Sequence, residues 1–283
     1  MKICRFNKNK VGLIKNDKVV DISKNFNELS KDYPFPLEDI FIDNLQKKID
    51  NHFSFFEENI YSIDEITLEV PVSNPNKIIG APLNYLKHFN EVNQDKNLHN
   101  NNLSHIKKIH EIGLFLKSVS SLIGPSQSIN LELPERRCDH EIELVVIIGR
   151  KCKNVMTTEA LSNVLGYSIG LDITVRGPEE RSLRKSLDTF SVLGPYIVTA
   201  DEIPDPSNLD LTLKVNGVTK QKSNTSKLIM SVEELIVYVS KFYTLYPGDL
   251  IYTGTPEGVD QIFKKDVLSA NISSIGNLNI NVK

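Results

Sequence analysis

The chain has 283 residues, 40% of them hydrophobic, enough for one large domain or a large domain with a small companion. Its 33 basic and 36 acidic residues give a formal charge of −3, which leaves no basic footprint for nucleic acid. No apolar run approaches the ~18 residues of a membrane span, and the start lacks a signal-like apolar stretch. Three cysteines without CxxC spacing (Cys4, Cys138, Cys152) fit a reduced, cytoplasmic protein better than a disulfide scaffold.

In chain order, residues 1 to about 70 read as short strands and turns, with a hairpin about Asn16-Asp17. Residues 36–58 are amphipathic and helical in part. Residues 66–72 read as a strand followed by the linker Ser73-Asn74-Pro75-Asn76, so a small N-terminal domain is expected over 1–72 and the main domain over 73–283. A short strand at 77–80 precedes a helical turn or two over 83–92. Residues 93–110 are so polar that they read as a mobile surface segment. Strand character resumes at 114–117, and Gly124-Pro125 marks a turn. The apolar run 144–148 is a buried strand, a helix is expected around 157–165, and 164–172 is a further strand. Asn216-Gly217 between 211–215 and 218–222 is a strong hairpin signal of the type I′ kind. Ser231 with Glu234 forms a capping box for an amphipathic helix. Pro247-Gly248-Asp249 is a turn, 250–253 a strand and 254–258 a loop, with short strands after it. There is no internal repeat. Strands outnumber helices and do not alternate with them, which predicts a mainly β, α+β fold and not a doubly wound parallel sheet.

The chemistry-bearing residues begin with Asp139-His140-Glu141-Ile142-Glu143. Side chains two apart on a strand point the same way, so Glu141 and Glu143 aim two carboxylates at one spot beside a core. Two like charges there are costly without a cation. Asp172, at the end of another apolar strand, completes an all-oxygen set suited to Mg²⁺, Mn²⁺ or Ca²⁺ rather than zinc. Lys185 could counter negative charge developing on a substrate. His88 and Glu91 stand at i, i+3 on one helical face, where a carboxylate-held His can act as a general base. Thr253-Gly254-Thr255-Pro256 is a tight turn able to present donors to a carboxylate. Singly, each has an ordinary explanation: surface glutamates, a solvated lysine, an exposed helix pair, a turn. Their order along one chain is what carries specificity.

That order resembles the fumarylacetoacetate hydrolase family. The matching stretches are Asn84-Tyr85-x-x-His88-x-x-Glu91, Leu114-Phe-Leu-Lys117 and Leu122-Ile-Gly-Pro125. Asp139-His-Glu141-Ile-Glu143, Gly166-Tyr-x-x-Gly-Leu-Asp172 with Arg176, and Lys185-Ser-Leu-Asp188 with Leu193-Gly-Pro195 follow. Val215-Asn-Gly217 with Gln221, Pro247-Gly-Asp249, Thr253-Gly-Thr-Pro-x-Gly-Val259 and Ile275-Gly276-x-Leu278 complete the set over 77–283. Residues 1–72 look like the small N-terminal domain of some members.

The resemblance implies a mixed β-sandwich or roll, usually homodimeric. It implies Mg²⁺ or Mn²⁺ (Ca²⁺ able to substitute) held by Glu141, Glu143 and Asp172, with Lys185 stabilising an enolate. His88 and Glu91 would be the water-activating dyad, and Tyr85, Arg176, Glu179 and Thr255 would contact a 2-oxo acid substrate. The implied activity is hydrolysis of C–C bonds in acylpyruvate-type 2,4-dioxo acids. An isomerase, decarboxylase or lyase of 2-oxo dicarboxylic acids, and a metal-binding protein without turnover, are the alternatives. Departures from the family pattern are Glu179 in place of a common Gln, His140 in place of an aromatic, Gly80-Ala81-Pro82-Leu83 before Asn84, Asp260 after Val259, and the polar insert at 93–110. Glu179 argues against a strongly cationic pocket, although Arg176, Arg181 and Arg184 lie near it in sequence.

Overall fold

The computed structural model describes residues 1–8, 10–26, 36–99 and 107–283. The expectation of a mobile segment at 93–110 falls partly on 100–106, outside the described residues. The rest of that stretch holds the end of helix Leu86–Gln94, helix Lys96–His99 and the start of helix Ile109–Ile112. Leu98 buries its side chain against Val92 and Val259, so this stretch carries more apolar anchoring than its polarity suggested.

The architecture is mainly β. A large sheet runs in the order Ile60–Ser62, Lys18–Asp21, Lys10–Lys15, Lys2–Phe6, Ser191–Thr199, Val164–Asp172, Ile142–Ile148, Leu250–Tyr252, Ile78–Gly80, Phe115–Lys117. Neighbours along this path are antiparallel except Leu250–Tyr252 with Ile78–Gly80, which are parallel. The N-terminal strands extend the same sheet: Lys2 and Ile3 pair with Val198 and Ile197.

The central strand Ile142–Ile148 is buried at every residue. Leu144, Val146 and Ile148 belong to one core cluster and Val145 and Ile147 to another, so both faces are covered. That double burial is why its sequence is an unbroken apolar run. On one side lies a five-stranded sheet containing Asp210–Val215, Val218–Asn224, Val267–Ile272 and Gly276–Val282, whose alternation of buried and exposed residues reflects one wet face. Helix Val232–Phe242 adds Val232, Leu235, Ile236 and Val239 to this core. Phe41, Ile42 and Leu45 of helix Ile40–Asp50 close the other.

Local signals mostly translate directly. Asn16 and Asp17 take positive φ (47° and 59°), as do Asn216 and Gly217 (49° and 81°), the conformation a two-residue type I′ turn demands. The Ser231–Glu234 capping box is formed in both directions. Two expectations fail. The helix around 157–165 is two short 3₁₀ turns, Thr157–Glu159 and Leu161–Asn163, because the chain must enter strand Val164–Asp172 at once. The strand at 66–72 shrinks to Leu68–Glu69, which pairs with the end of Lys2–Phe6.

Asp21 stabilises the N-terminal hairpin. Burial opposes its charge, but the Ser23 hydroxyl, the Lys10 ammonium (2.9 Å) and the Ser23 amide (2.9 Å) together hold its pKa below the usual aspartate value. A group with a depressed folded-state pKa stabilises fully above the unfolded value and loses that contribution as pH falls through the folded one. Asp21→Asn is therefore expected to cost about 1–2 kcal/mol at pH 7 and progressively less as the pH falls below the unfolded value and through the folded one, read by urea unfolding at pH 7 and in acid. An equal penalty at both pH values would refute this account.

Candidate active site

Five strand ends meet at one margin of the large sheet. Ile142–Ile148 begins there and its antiparallel neighbour Val164–Asp172 ends there, with Ile142 opposite Leu171 and Glu143 opposite Gly170. Leu250–Tyr252 and Ile78–Gly80 both end at this margin, and Phe115–Lys117 starts from it. A polar site can form here because the loops leave the sheet and the backbone no longer needs every side chain for packing.

Glu141 occupies the break between strands Cys138–His140 and Ile142–Ile148. Glu141, Glu143 and Asp172 are all buried (5%, 3% and 0% exposed), and one carboxylate oxygen of each lies within 4.8 Å of the others. Three carboxylates in so dry a place need cations. Lys185 supplies one: its Nζ donates to Glu141 Oε2 (2.7 Å), Asp172 Oδ2 (2.6 Å) and Thr174 Oγ1 (2.7 Å). Lys117, buried at 3%, bonds Asp172 and the Phe190 carbonyl (2.8 Å). Arg176 spans Asp139 (2.8 Å) and Glu141 (3.3 Å). Burial works against the charge of Glu141, yet Lys185 and then Arg176 hold it down at about 2. Glu143 goes the other way: burial, and then the charge of Asp172, raise it well above the usual value. Among the described residues no cationic side chain is bonded to Glu143; the Gly254 amide donates to it (2.6 Å).

The turn after Leu250–Tyr252 makes that bond. Gly254 has φ 98°, and a Cβ there would meet Asn84 Cβ at 2.8 Å. Only glycine allows the close approach. Thr255 is held toward the pocket by Gln221, whose Nε2 donates to Thr255 Oγ1 (2.8 Å) and the Pro256 carbonyl (2.8 Å) while its Oε1 accepts from the Ile142 amide (3.0 Å).

The dyad sits on helix Leu86–Gln94. His88 Nδ1 meets Glu91 Oε2 at 2.8 Å, and the Gly258 amide donates to Glu91 Oε1 (2.9 Å). Gly258 has φ 90°, and a Cβ there would lie 2.2 Å from the Lys220 carbonyl. Asn84, fully buried, fixes the start of this segment through the Met230 carbonyl and amide and the Thr253 carbonyl. His88 is 4% exposed and lines the same pocket as Glu141.

The structure thus brings His88, Glu141, Glu143, Asp172, Arg176, Glu179, Lys185 and Thr255 to the wall of one pocket, while Glu91 stands behind His88. Tyr85 does not line it: at 2% exposure it packs in the main core. Glu179 forms a two-pronged pair with Arg136 (3.1 and 2.8 Å), so its charge is already answered. Lys117, Thr174, Asp139, Gln221 and Arg136 are the contributors that sequence reasoning did not place in the site. The motif containing Lys117 was visible; its long reach to Asp172 was not.

These residues belong to a family. The fumarylacetoacetate (FAA) hydrolase C-terminal model matches residues 77–283, and the chain is a member of that family. It is 44% identical over 285 residues to a maleylpyruvate hydrolase of Aquipseudomonas alcaligenes, covering 100% of this chain and 99% of that one. A crystal structure of maleylpyruvate hydrolase from Sphingobium sp. SYK-6 in complex with manganese(II) ion and pyruvate superposes with TM-score 0.82 at 33% identity, over 100% of this chain and 98% of that one. A mitochondrial oxaloacetate tautomerase of Homo sapiens is 37% identical over 207 residues, 71% of this chain and 62% of that one.

Proposed function

We propose that this chain is a divalent-metal-dependent hydrolase that cleaves the C–C bond of acylpyruvate-type 2,4-dioxo acids, maleylpyruvate being the nearest model. The observation that carries it is a buried three-carboxylate cluster sharing one pocket with a carboxylate-held histidine and a lysine.

The residues fit a hard cation. The donors are all oxygen, and Glu143 is a buried carboxylate raised well above its usual pKa by burial and by the charge of Asp172. Glu141, Glu143 and Asp172 would hold Mg²⁺ or Mn²⁺, and Lys117 would orient Asp172 from outside. When bound, the ion supplies Lewis acidity to the 2-oxo acid end of the substrate.

The side chains divide the rest of the work. His88, oriented through Nδ1 by Glu91, takes a proton from water at Nε2, and the water oxygen adds to the acyl carbonyl. The bond between that carbon and the pyruvyl methylene breaks. Its electron pair becomes a pyruvate enolate, whose charge the Lys185 ammonium counters, and the methylene carbon then takes up a proton. Thr255 donates to a substrate carboxylate, and Arg176 supports Glu141 while facing the pocket. Products are the free acid and pyruvate.

A tautomerase of 2-oxo dicarboxylic acids is the second reading, favoured by the likeness to oxaloacetate tautomerases. An intact His88–Glu91 dyad supports the hydrolase, since tautomerisation needs no activated water. The deciding test is incubation of purified protein with maleylpyruvate, acetylpyruvate and oxaloacetate, with Mn²⁺ and with chelator. Metal-dependent release of pyruvate from either acylpyruvate is the expected result. Enol–keto exchange of oxaloacetate with no cleavage would replace it with the second reading.

Homodimeric assembly and a cytoplasmic setting complete the proposal. The latter is supported by three free cysteines, and no described helix is long and apolar enough to cross a membrane.

A further inference from the structure

Among the described residues, two guanidinium groups in the pocket are bonded to no carboxylate. Arg181 and Arg184 stand three apart on the single turn Arg181–Arg184, so they share a face, and both line the pocket that contains the carboxylate cluster. The other pocket arginine is engaged: Arg176 is bonded to Asp139 and Glu141. Glu179, the acidic residue nearest in sequence among those lining the pocket, is taken by Arg136. Arg184 makes one bond, from Nε to the Glu179 carbonyl (2.8 Å), and Arg181 lies over the Phe115 ring at 5.8 Å. Neither has an ion pair among the described residues.

Half-buried cations without a counter-ion are unfavourable, and these two repel each other. Burial, and then the charge of Arg184, lower Arg181 to about 10; burial and the charge of Arg176 lower Arg184 as well. A protein would gain by neutralising them, yet Glu141, Glu179 and Glu180 act on them only at a distance, and among the described residues no carboxylate is bonded to either guanidinium. Charge balance in the pocket agrees. With Glu179 paired to Arg136 and Arg176 to Asp139, three lining cations (Arg181, Arg184, Lys185) face three lining carboxylates (Glu141, Glu143, Asp172). With a divalent ion on those three carboxylates, the pocket is left positive, and a dianion restores neutrality better than a monoanion.

We infer that Arg181 and Arg184 form a second carboxylate subsite, which selects acylpyruvates carrying a distal carboxylate over those with a neutral acyl group. A planar guanidinium fork matches a carboxylate in two parallel hydrogen bonds, and an approaching anion meets little water that must be displaced from a competing salt bridge. Arg136 bonds both oxygens of the Glu179 carboxylate, and Glu180, the other acidic neighbour in sequence, bonds neither guanidinium among the described residues. Glu179 therefore clears the cationic pocket rather than opposing it, the reverse of what its sequence position suggested.

The inference rests on the acylpyruvate reading for its substrate class, but its test does not depend on turnover. 2-Oxoheptanedioate and 2-oxoheptanoate have the same chain length, differ only in the distal carboxylate, and lack the 4-oxo group needed for cleavage. Each is titrated calorimetrically into the Mn²⁺-loaded protein, wild type and Arg181→Gln. The diacid is expected to bind about 10- to 100-fold more tightly to wild type, the range for a charge-assisted pair. That advantage is expected to shrink to about threefold or less in Arg181→Gln, with Arg181→Lys intermediate because it keeps charge and loses the fork. Equal affinities in wild type would overturn the subsite, as would a diacid advantage that survives in both Arg181→Gln and Arg184→Gln. Absence of cleavage of maleylpyruvate beside a clear diacid preference would remove the hydrolase reading and leave the subsite standing. Failure of both acids to bind would remove the subsite.

Discussion

Glu141→Ala is expected to abolish divalent-metal binding and turnover while the fold survives. Glu141 contributes one of three carboxylates to the cluster, and it is also bonded by Lys185, Arg176 and Thr174. Its loss leaves two carboxylates for an ion that needs several oxygen ligands. The affinity lost should exceed the ~10–100-fold typical of residues that merely orient a ligand. The fold should persist because neither cation is orphaned: Lys185 keeps Asp172 at 2.6 Å, and Arg176 keeps Asp139 at 2.8 Å. Truncating one partner of a buried pair costs ~3–5 kcal/mol when a charge is stranded, and less here because none is. Calorimetric titration with Mn²⁺ and urea unfolding check the two halves separately. Retained metal affinity would sink the ligand assignment, and a protein that no longer folds would mean that Glu141 serves the structure first.

His88→Gln is expected to lower kcat by ~10²–10⁴-fold with Mn²⁺ affinity intact. Glutamine keeps a polar side chain near Glu91 but cannot take a proton from water. His88 is not one of the three carboxylates, and among the described residues its side chain bonds Glu91 and none of the three. The helix that carries it is held by other bonds, through Asn84 to Met230 and Thr253 and through Glu91 to Gly258. Hydrolysis of maleylpyruvate followed by pyruvate release, with metal binding measured on the same sample, separates the two effects. A variant that retains near-wild-type kcat would show that another group activates the water. Loss of metal binding together with kcat would place His88 at the ion instead.

Both variants act on residues legible in the sequence alone. Glu141 and Glu143 announce themselves because two charged residues directly before five consecutive apolar ones conflict with burial unless a cation is present. Their side-by-side placement follows from the two-residue period of a strand. His88 and Glu91 follow from the 3.6-residue period of a helix, and the family likeness tied them together. The hairpin turns and the capped helix were equally readable, because a left-handed turn or a helix start depends on a few adjacent residues.

What the sequence could not carry was long-range pairing. Lys117 and Asp172 are 55 positions apart, Glu143 and Gly254 are 111, and Asn84 and Met230 are 146. No local period connects such residues; only the order of strands in the sheet does. The same limit explains the misjudged surroundings. Polarity around 93–110 pointed to a mobile surface segment; in the described part of it, Leu98 packs with Val92 and Val259. Glu179 counted as negative charge in the pocket until Arg136, 43 residues earlier, was seen to take it. The amino-acid sequence by itself therefore determined which groups this protein has for chemistry and on which kind of element each stands. The tertiary structure alone decided which charges are answered and which are left for a ligand, because in a buried site an ion's energy depends on its neighbours in space and not on its neighbours in the chain.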